Sequence, residues 1–491
     1  MTNRIDDRKR WLCLYLLCAG VLMIVLDTTI VNVALPSIRA DLHFGKSLVW
    51  VVNAYLLTYG GFLLLGGRLG DLYGRRRLFL LGITLFSLAS LACGLAGSQQ
   101  LLIAARAVQG LGGAVVTAVA LSLIMNLFSE TDERAQAMGV YSFVCASGGS
   151  IGVLAGGFLT STLSWHWVFL VNLPIGAVVF AACLALLPAG REDSATARLD
   201  VAGAATVTAA LMLAVYAIVN GNEAGWASAQ TAGLLGAAAL LLAAFVAIEA
   251  QVRDPLMPLR LFKLRNVATA DAVSVLWAAA MFAWFFISAL YLQLVLGYDA
   301  MQVGLAYLPA NLIMAAFSLG LSARIVMRFG LRLPLALGLL LAAAGLALFA
   351  RAPIDARFAI DVLPAMTLLG LGAGMALNPV LLAAMSDVAP QESGLASGVV
   401  NTSFMMGGAL GLAVLASLAA ARTDALHAQG ADPLTALAGG YHAAFLVGAA
   451  FALAASLLGA VLIRPAASAQ RGAAAATAVA ASSTPPGQTA V

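Results

Sequence analysis

The stretch WLCLYLLCAGVLMIVLDTTIVNVAL, Trp11–Leu35, decides the fold, because its 25 residues include a single acidic or basic side chain, Asp27. A helix that crosses a bilayer needs about 20 predominantly apolar residues, so this run is long enough. The basic start before it (Arg4, Arg8, Lys9, Arg10) has the look of a secretory leader. The run is longer than the about 7–15 residues of a leader's apolar core, and no small-residue cleavage site follows. It reads as an uncleaved first span.

The rest of the chain has the same character. Of 491 residues, 62% are AVILMFWYC and 10% are charged, with a net charge of +4. A soluble domain carries about 25% charged residues, too many to match this chain. The composition excludes a soluble enzyme, a disordered protein and a nucleic-acid binder, and leaves an all-α polytopic membrane protein. The five cysteines (Cys13, Cys18, Cys93, Cys145, Cys183) all lie inside apolar runs, so neither a disulfide framework nor a CxxC metal spacing is available. The excess of Arg over Lys in an Ala-rich chain fits a GC-rich bacterial genome; the expected location is the bacterial cytoplasmic (inner) membrane.

Walking the chain predicts fourteen spans, near 11–35, 48–66, 78–97, 101–127, 137–160, 167–187, 201–220, 231–250, 267–292, 302–321, 333–350, 358–386, 395–421 and 441–463. Lys and Arg concentrate in cytoplasmic loops of membrane proteins. With the N-terminus inside, 20 of them fall in cytoplasmic segments against five outside (Arg39, Lys46, Arg351, Arg357, Arg422), and Arg106 remains within a helix. Both termini are therefore expected in the cytoplasm. Polar, Pro-containing connections at 188–200 and 251–265 bracket two helices and separate two blocks of six. The expected organisation is a cytoplasmic tail (1–10), a six-helix bundle (11–190), a linker with two extra spans (191–261), a second six-helix bundle (262–465) and a low-complexity, disordered cytoplasmic tail (466–491). A faint repeat supports two blocks: LGGRLGDLYGRRRLFLLG (Leu65–Gly82) aligns with LSARIVMRFGLRLPLALG (Leu321–Gly338). Duplicated halves of this kind are found in transporters.

Ionisable side chains at membrane depth cost about 2.5–3.5 kcal/mol on insertion scales, so they are functional candidates by default. Asp27 lies past the midplane of the first span, where a carboxylate must face a cavity or a partner and can load and release a proton. Arg106 sits one to two turns into the fourth span, at a depth about one helical turn from that of Asp27. Asn32 and Gln109 offer polar lining nearby. Asp271 and Glu249 fall near the cytoplasmic ends of their spans, where a side chain reaches water cheaply, and rank lower. Gly148, Gly149, Gly152, Gly156 and Gly157 leave one face of the fifth span nearly bare backbone, which permits close packing or sliding. Gly67, Gly70, Asp71, Gly74, Arg75, Arg76 and Arg77 form a tight charged turn at the cytoplasmic face. In the ninth span Trp277, Phe282, Trp284, Phe285 and Tyr291 form either a cavity lining or a lipid-facing belt.

Other chemistry finds no support. Gly45-Lys46-Ser47 mimics the end of a P-loop, but position 40 is Ala and no strand precedes it. No stretch is long enough for a nucleotide-binding domain, so ATP is not expected as the energy source. The four His (His43, His166, His427, His442) are scattered, so no metal site is expected. No G-x-S-x-G elbow is present.

Several of these segments resemble one known family. GRLGDLYGRRR (Gly67–Arg77), LDTTIVNVALPSI (Leu26–Ile38), RAVQGLGG (Arg106–Gly113), WHWVFLVNLPIG (Trp165–Gly176) and ESGLASGVVNTS (Glu392–Ser403) are similar to motifs of the major facilitator superfamily, and within it of the 14-span drug:proton antiporter branch. The resemblance implies two six-helix bundles rocking around a central cavity, with two extra helices between them. It implies proton-driven export of small amphipathic molecules, often antibiotics, biocides or dyes. On it, Asp27 is the proton-coupling acid with Arg106 as its modulator, and Gly67, Asp71, Gly74 and Arg75 form a cytoplasmic latch. The antiporter glycine motif is Gly148, Gly152, Gly156 and Gly157, and the substrate cavity draws on Asn32, Gln109, Trp277 and Phe285. The sequence departs from the branch in two places: Val153 follows Gly152 where the motif has proline, and Phe404 and Met405 stand where Arg-Gln is common. The expected partners are a small amphipathic substrate, protons and the lipid bilayer, with no nucleic acid and no cofactor beyond the coupling proton. The expected form is a monomer, with periplasmic adaptor proteins as candidate partners. Two other readings stay open: a proton-coupled importer or facilitator of one solute, and a receptor or assembly subunit without flux.

Overall fold

A computed structural model describes residues 7–128, 131–187, 200–252, 255–385, 388 and 393–464. The described residues are helical throughout, joined by short turns, with no strand among them. In chain order the helices are α1 (Asp7–Asp41), α2 (Trp50–Tyr73), α3 (Arg75–Gly94), α4 (Gln99–Leu127), α5 (Thr131–Thr162), α6 (Trp167–Leu186), α7 (Val201–Ala224) and α8 (Ala229–Gln251). Then come α9 (Arg265–Val295), α10 (Ala300–Ala316), α11 (Arg332–Phe349), α12 (Phe358–Met385), α13 (Ser393–Ala428) and α14 (Pro433–Leu462). Eleven helices among the described residues are long and apolar enough to cross a membrane, and Ser47–Leu63, Ile151–Thr162 and Ala300–Ala316 are shorter apolar helical stretches. The chain is a multi-pass membrane protein.

Packing divides the helices into groups. In the first half α1 lies on α5 and α6, and α4 on α2 and α3; in the second, α9 lies on α13 and α14, and α11 on α12 and α14. The α7–α8 pair packs on α2 from one half and α13 from the other, and the halves meet directly where α5 touches α10 and α2 touches α13. Hydrocarbon gives helices no hydrophobic drive to associate, so such seams depend on close van der Waals contact between small residues. The α5–α10 seam is an instance, since a Cβ on Gly157 would fall 2.7 Å from Ala300 O, and one on Gly304 would fall 3.1 Å from Val153 O.

The internal repeat has a structural counterpart. Gly74, between α2 and α3, and Gly330, in the same place of the second copy ahead of α11, have φ of 91° and 73°. Residues with a Cβ rarely adopt such values, so each copy turns at a glycine. Between α10 and the short helix Ser322–Phe329, the chain passes through a π-turn (Phe317–Leu321) in which Gly320 has φ 119°. Nothing in the run Phe317–Leu321 marks that kink ahead of the fold.

Some boundaries differ from the expected spans. α14 starts at Pro433, eight residues before position 441, because Asp432 accepts hydrogen bonds from the N–H groups of Leu434 and Thr435 and the proline occupies the first helical position. α13 continues to Ala428 and so takes up Arg422, which the loop assignment had placed outside a helix. The 188–199 part of the connection and the tail from 465 lie outside the described residues.

Candidate functional site

Asp27 and Arg106 form an ion pair inside the first half. Arg106 Nη1 donates to Asp27 Oδ2 at 2.5 Å, and the two side chains are 1% and 0% exposed. Asp27 Oδ1 accepts from Gln109 Nε2 at 2.8 Å and from Asn172 Nδ2 at 3.2 Å. Arg106 has further partners: Nη1 donates to Gln109 Oε1 at 2.6 Å and Nε to Val51 O at 2.9 Å. Its guanidinium carbon lies 4.3 Å from the Tyr55 ring centroid and 5.7 Å from that of Phe169. Ser90 Oγ accepts from both Gln109 (2.7 Å) and Asn172 (3.3 Å).

Five helices supply these groups: α1 (Asp27), α2 (Val51, Tyr55), α3 (Ser90), α4 (Arg106, Gln109) and α6 (Phe169, Asn172). Their positions follow from helix direction. Arg106 is seven residues from the start of α4, Asn172 five from the start of α6 and Ser90 four from the end of α3, while Asp27 lies 14 residues before the end of α1. At 1.5 Å per residue these are about 10, 8, 6 and 21 Å from the respective ends, so α1 extends about two turns or more beyond its neighbours at this end of the bundle. A buried carboxylate without a partner is strongly disfavoured, so its neighbours are polar and saturated. A proton on Asp27 would cancel the charge that Arg106 is bonded to, while Gln109 and Val51 would still hold the guanidinium. The cluster can therefore exist in two charge states without orphaning the arginine.

The glycines of α5 support this cluster from behind. Gly148 abuts Val25, and Cβ atoms on Gly152 and Gly156 would fall 3.0 Å from Leu26 O and 2.7 Å from Ile30 O. The tract thus lies on the face of α1 next to Asp27, and Gly157, one residue on, meets α10 of the other half. It keeps this close contact with Val153 in place of proline.

Other expected residues lie elsewhere. Asn32 is buried, but its Nδ2 donates to Thr28 O of its own helix at 3.1 Å and takes no part in the cluster. Gln109 is engaged by Asp27, Arg106 and Ser90 instead of lining open space. Trp277, Trp284, Phe285 and Tyr291 are all buried by protein, which corrects the alternative of a lipid-facing belt. Phe285 stacks on Tyr307 at 5.4 Å, and Tyr307 OH donates to Phe285 O at 2.8 Å, joining α9 to α10. Trp277 is fully buried, and its Nε1 makes no hydrogen bond among the described residues. In the charged turn, Gly67 and Gly70 face Ala118 and Val119 of α4, Gly74 makes the turn, and Arg76 Nη2 donates to Leu184 O at 2.7 Å. Arg75 packs beside Gly70, and the side chain of Asp71 lies outside the described residues. Asp271 and Glu249 do not reach water as expected; they are 5% and 3% exposed.

Asn172 and Ser90 were not singled out as site residues from the sequence. Asn172 had a signal, a lone amide in the apolar run WVFLVNLPIG, whereas Ser90 looks like any small residue in a membrane helix.

The Major Facilitator Superfamily model matches residues 17–412. A puromycin resistance protein of Streptomyces alboniger is 40% identical over 460 residues, 93% of this chain and 91% of that protein. A cephamycin export protein of Amycolatopsis lactamdurans is 39% identical over 453 residues, covering 91% and 92% of the two chains. A lincomycin resistance protein of Streptomyces lincolnensis is 37% identical over 415 residues, covering 84% and 85%. Among solved structures, a bacterial homologue of the human lysosomal transporter Spinster superposes with a TM-score of 0.63 at 17% identity, over 94% of this chain and 98% of that one, a likeness of fold alone. Helical halves with matching glycine turns, and a family match that spans both, lead to one conclusion: the chain is a membrane protein of the Major Facilitator Superfamily.

Proposed function

We propose that this chain exports small amphipathic, drug-like molecules across the bacterial cytoplasmic membrane in exchange for protons, through fourteen spans with both termini in the cytoplasm. The observation that carries the reading is the Asp27–Arg106 pair, an acid and a base held out of water with further hydrogen-bond partners on α2, α4 and α6. The direction of transport comes from the relatives, which are named as resistance and export proteins. Antibiotic resistance is the phenotype that follows.

With the N-terminus inside, the α1–α2 and α9–α10 connections face out. The halves touch there: Gln293 Nε2 of α9 donates to Val33 O of α1 at 2.9 Å, and Gly157 meets the start of α10. The pathway is then sealed from outside in this conformation, with Asp27 in the outer third. Opening the outer end exposes the cluster to external protons. Substrate leaves through the open outer end as a proton binds Asp27 and releases its hold on Arg106, and return to the closed state then delivers that proton inward. The turn Gly67–Arg75, with Asp71, latches the cytoplasmic end in the opposite state.

Everted membrane vesicles test this. Adding puromycin or ethidium to energised vesicles should partly collapse the proton gradient in wild type and not in Asp27→Asn. If neither chain moves protons in response to any of a panel of drugs, and both confer the same tolerance on cells, antiport is wrong. Proton uptake driven by an external solute would instead mark an importer.

A further inference from the structure

Asp271 is six residues from the start of α9, about 9 Å along the axis, close enough to the end for a carboxylate to reach water. It is nevertheless 5% exposed. α9 and α13 run side by side here and touch at rungs four residues apart, with Gly407 against Val275 and Gly411 against Ala279. The same spacing, one rung earlier, brings Ser403 beside Asp271. Neither carboxyl oxygen makes a hydrogen bond of ordinary geometry among the described residues. Ser274 Oγ, one turn along α9, and Thr402 Oγ1, beside Ser403 in sequence, are also buried without partners.

The other charged groups near this end are otherwise placed. Arg260 and Lys263, on the short helix Leu259–Lys263 that packs on α9, are exposed, Arg265 Nε at the start of α9 donates to Leu462 O at 2.9 Å, and Arg464 after α14 is exposed. Tyr441 and His442 of α14 and Asp27 of α1 belong to the far end of the bundle. No ion pair to Asp271 forms among the described residues. An isolated ionised carboxylate is strongly disfavoured in such surroundings.

We propose that Asp271 is a second proton-binding site, which in this conformation holds a proton beside Ser403. The two acids lie in opposite halves and near opposite ends of the bundle. At Asp27 the neutralising charge is an arginine; at Asp271 it is the proton itself. Water reaching the α9–α13 seam from the start of α9 hydrates the carboxyl and lets that proton leave, so the group changes charge when the seam opens. Its role in transport rests on the antiport reading, whereas its protonation does not.

Infrared spectroscopy of the purified full chain in lipid nanodiscs reads protonation directly. At neutral pH the band of a protonated carboxylic acid should be weaker in Asp271→Asn than in wild type. Equal bands in wild type and Asp271→Asn overturn the proposal. So does a larger loss of thermal stability in Asp271→Asn than in Asp27→Asn, which would mark an ionised, paired group. In proteoliposomes Asp271→Asn should exchange one proton fewer per ethidium than wild type, and an unchanged ratio overturns the coupling role. If wild type moves no ethidium or other drug, the efflux reading fails, and the infrared band still decides whether Asp271 carries a proton.

Discussion

Asp27 accepts from three side chains on α4 and α6, and Arg106 donates to α1, α2 and α4, so neither can be changed without leaving a partner exposed to loss. Removing one member of a buried pair costs about 3–5 kcal/mol, whereas replacing both is often neutral. Arg106→Met should therefore lower the thermal stability of the purified chain markedly, and adding Asp27→Asn should restore most of it. A double variant no more stable than Arg106→Met would show that the arginine acts through Tyr55 and Val51 and not through the charge of Asp27. Asp27 and Arg106 could be found in the sequence because charge is scarce there, and a charge at membrane depth needs a reason. Ser90 could not, since hydroxyls are common in membrane helices and only the fold brings this one to Gln109.

Contacts between helices decide what glycine does here. A Cβ on Gly156 would meet Ile30 O at 2.7 Å, a backbone atom that cannot swing aside. Gly156→Ala should cost about 1–3 kcal/mol by overpacking, read as a lower unfolding temperature. The same change at Gly157 presses on α10 of the other half, so it should slow transport more than it lowers stability, which a transport assay beside a melting curve will separate. Gly74→Ala places a Cβ at φ 91°, where the strain is about 1–3 kcal/mol. Gly330→Ala should behave alike if the two turns are true repeats. Glycine spacing in α5 was legible along the chain; that four of its glycines face α1 and one faces α10 was not, because sequence gives a helix its faces but not its neighbours.

Across the whole molecule, the contact of Gln293 with Val33 ties the end of α9 to α1. Cysteines at these two positions, bridged by a short reversible crosslinker, should stop transport, and reduction should restore it. Full transport with the bridge in place would mean that this end does not open. The sequence by itself determined that the chain lies in a membrane, where its helices run and which two charges stand out, because a bilayer penalises charge and unpaired backbone wherever they occur. Tertiary structure alone decided that Asp271 and Glu249 are buried instead of reaching water, and that Asn172 and Ser90 complete the Asp27 cluster. It also decided that the ninth-span aromatics face protein and not lipid. Those outcomes depend on which helix lies beside which, and hydropathy is nearly the same on every side of such helices.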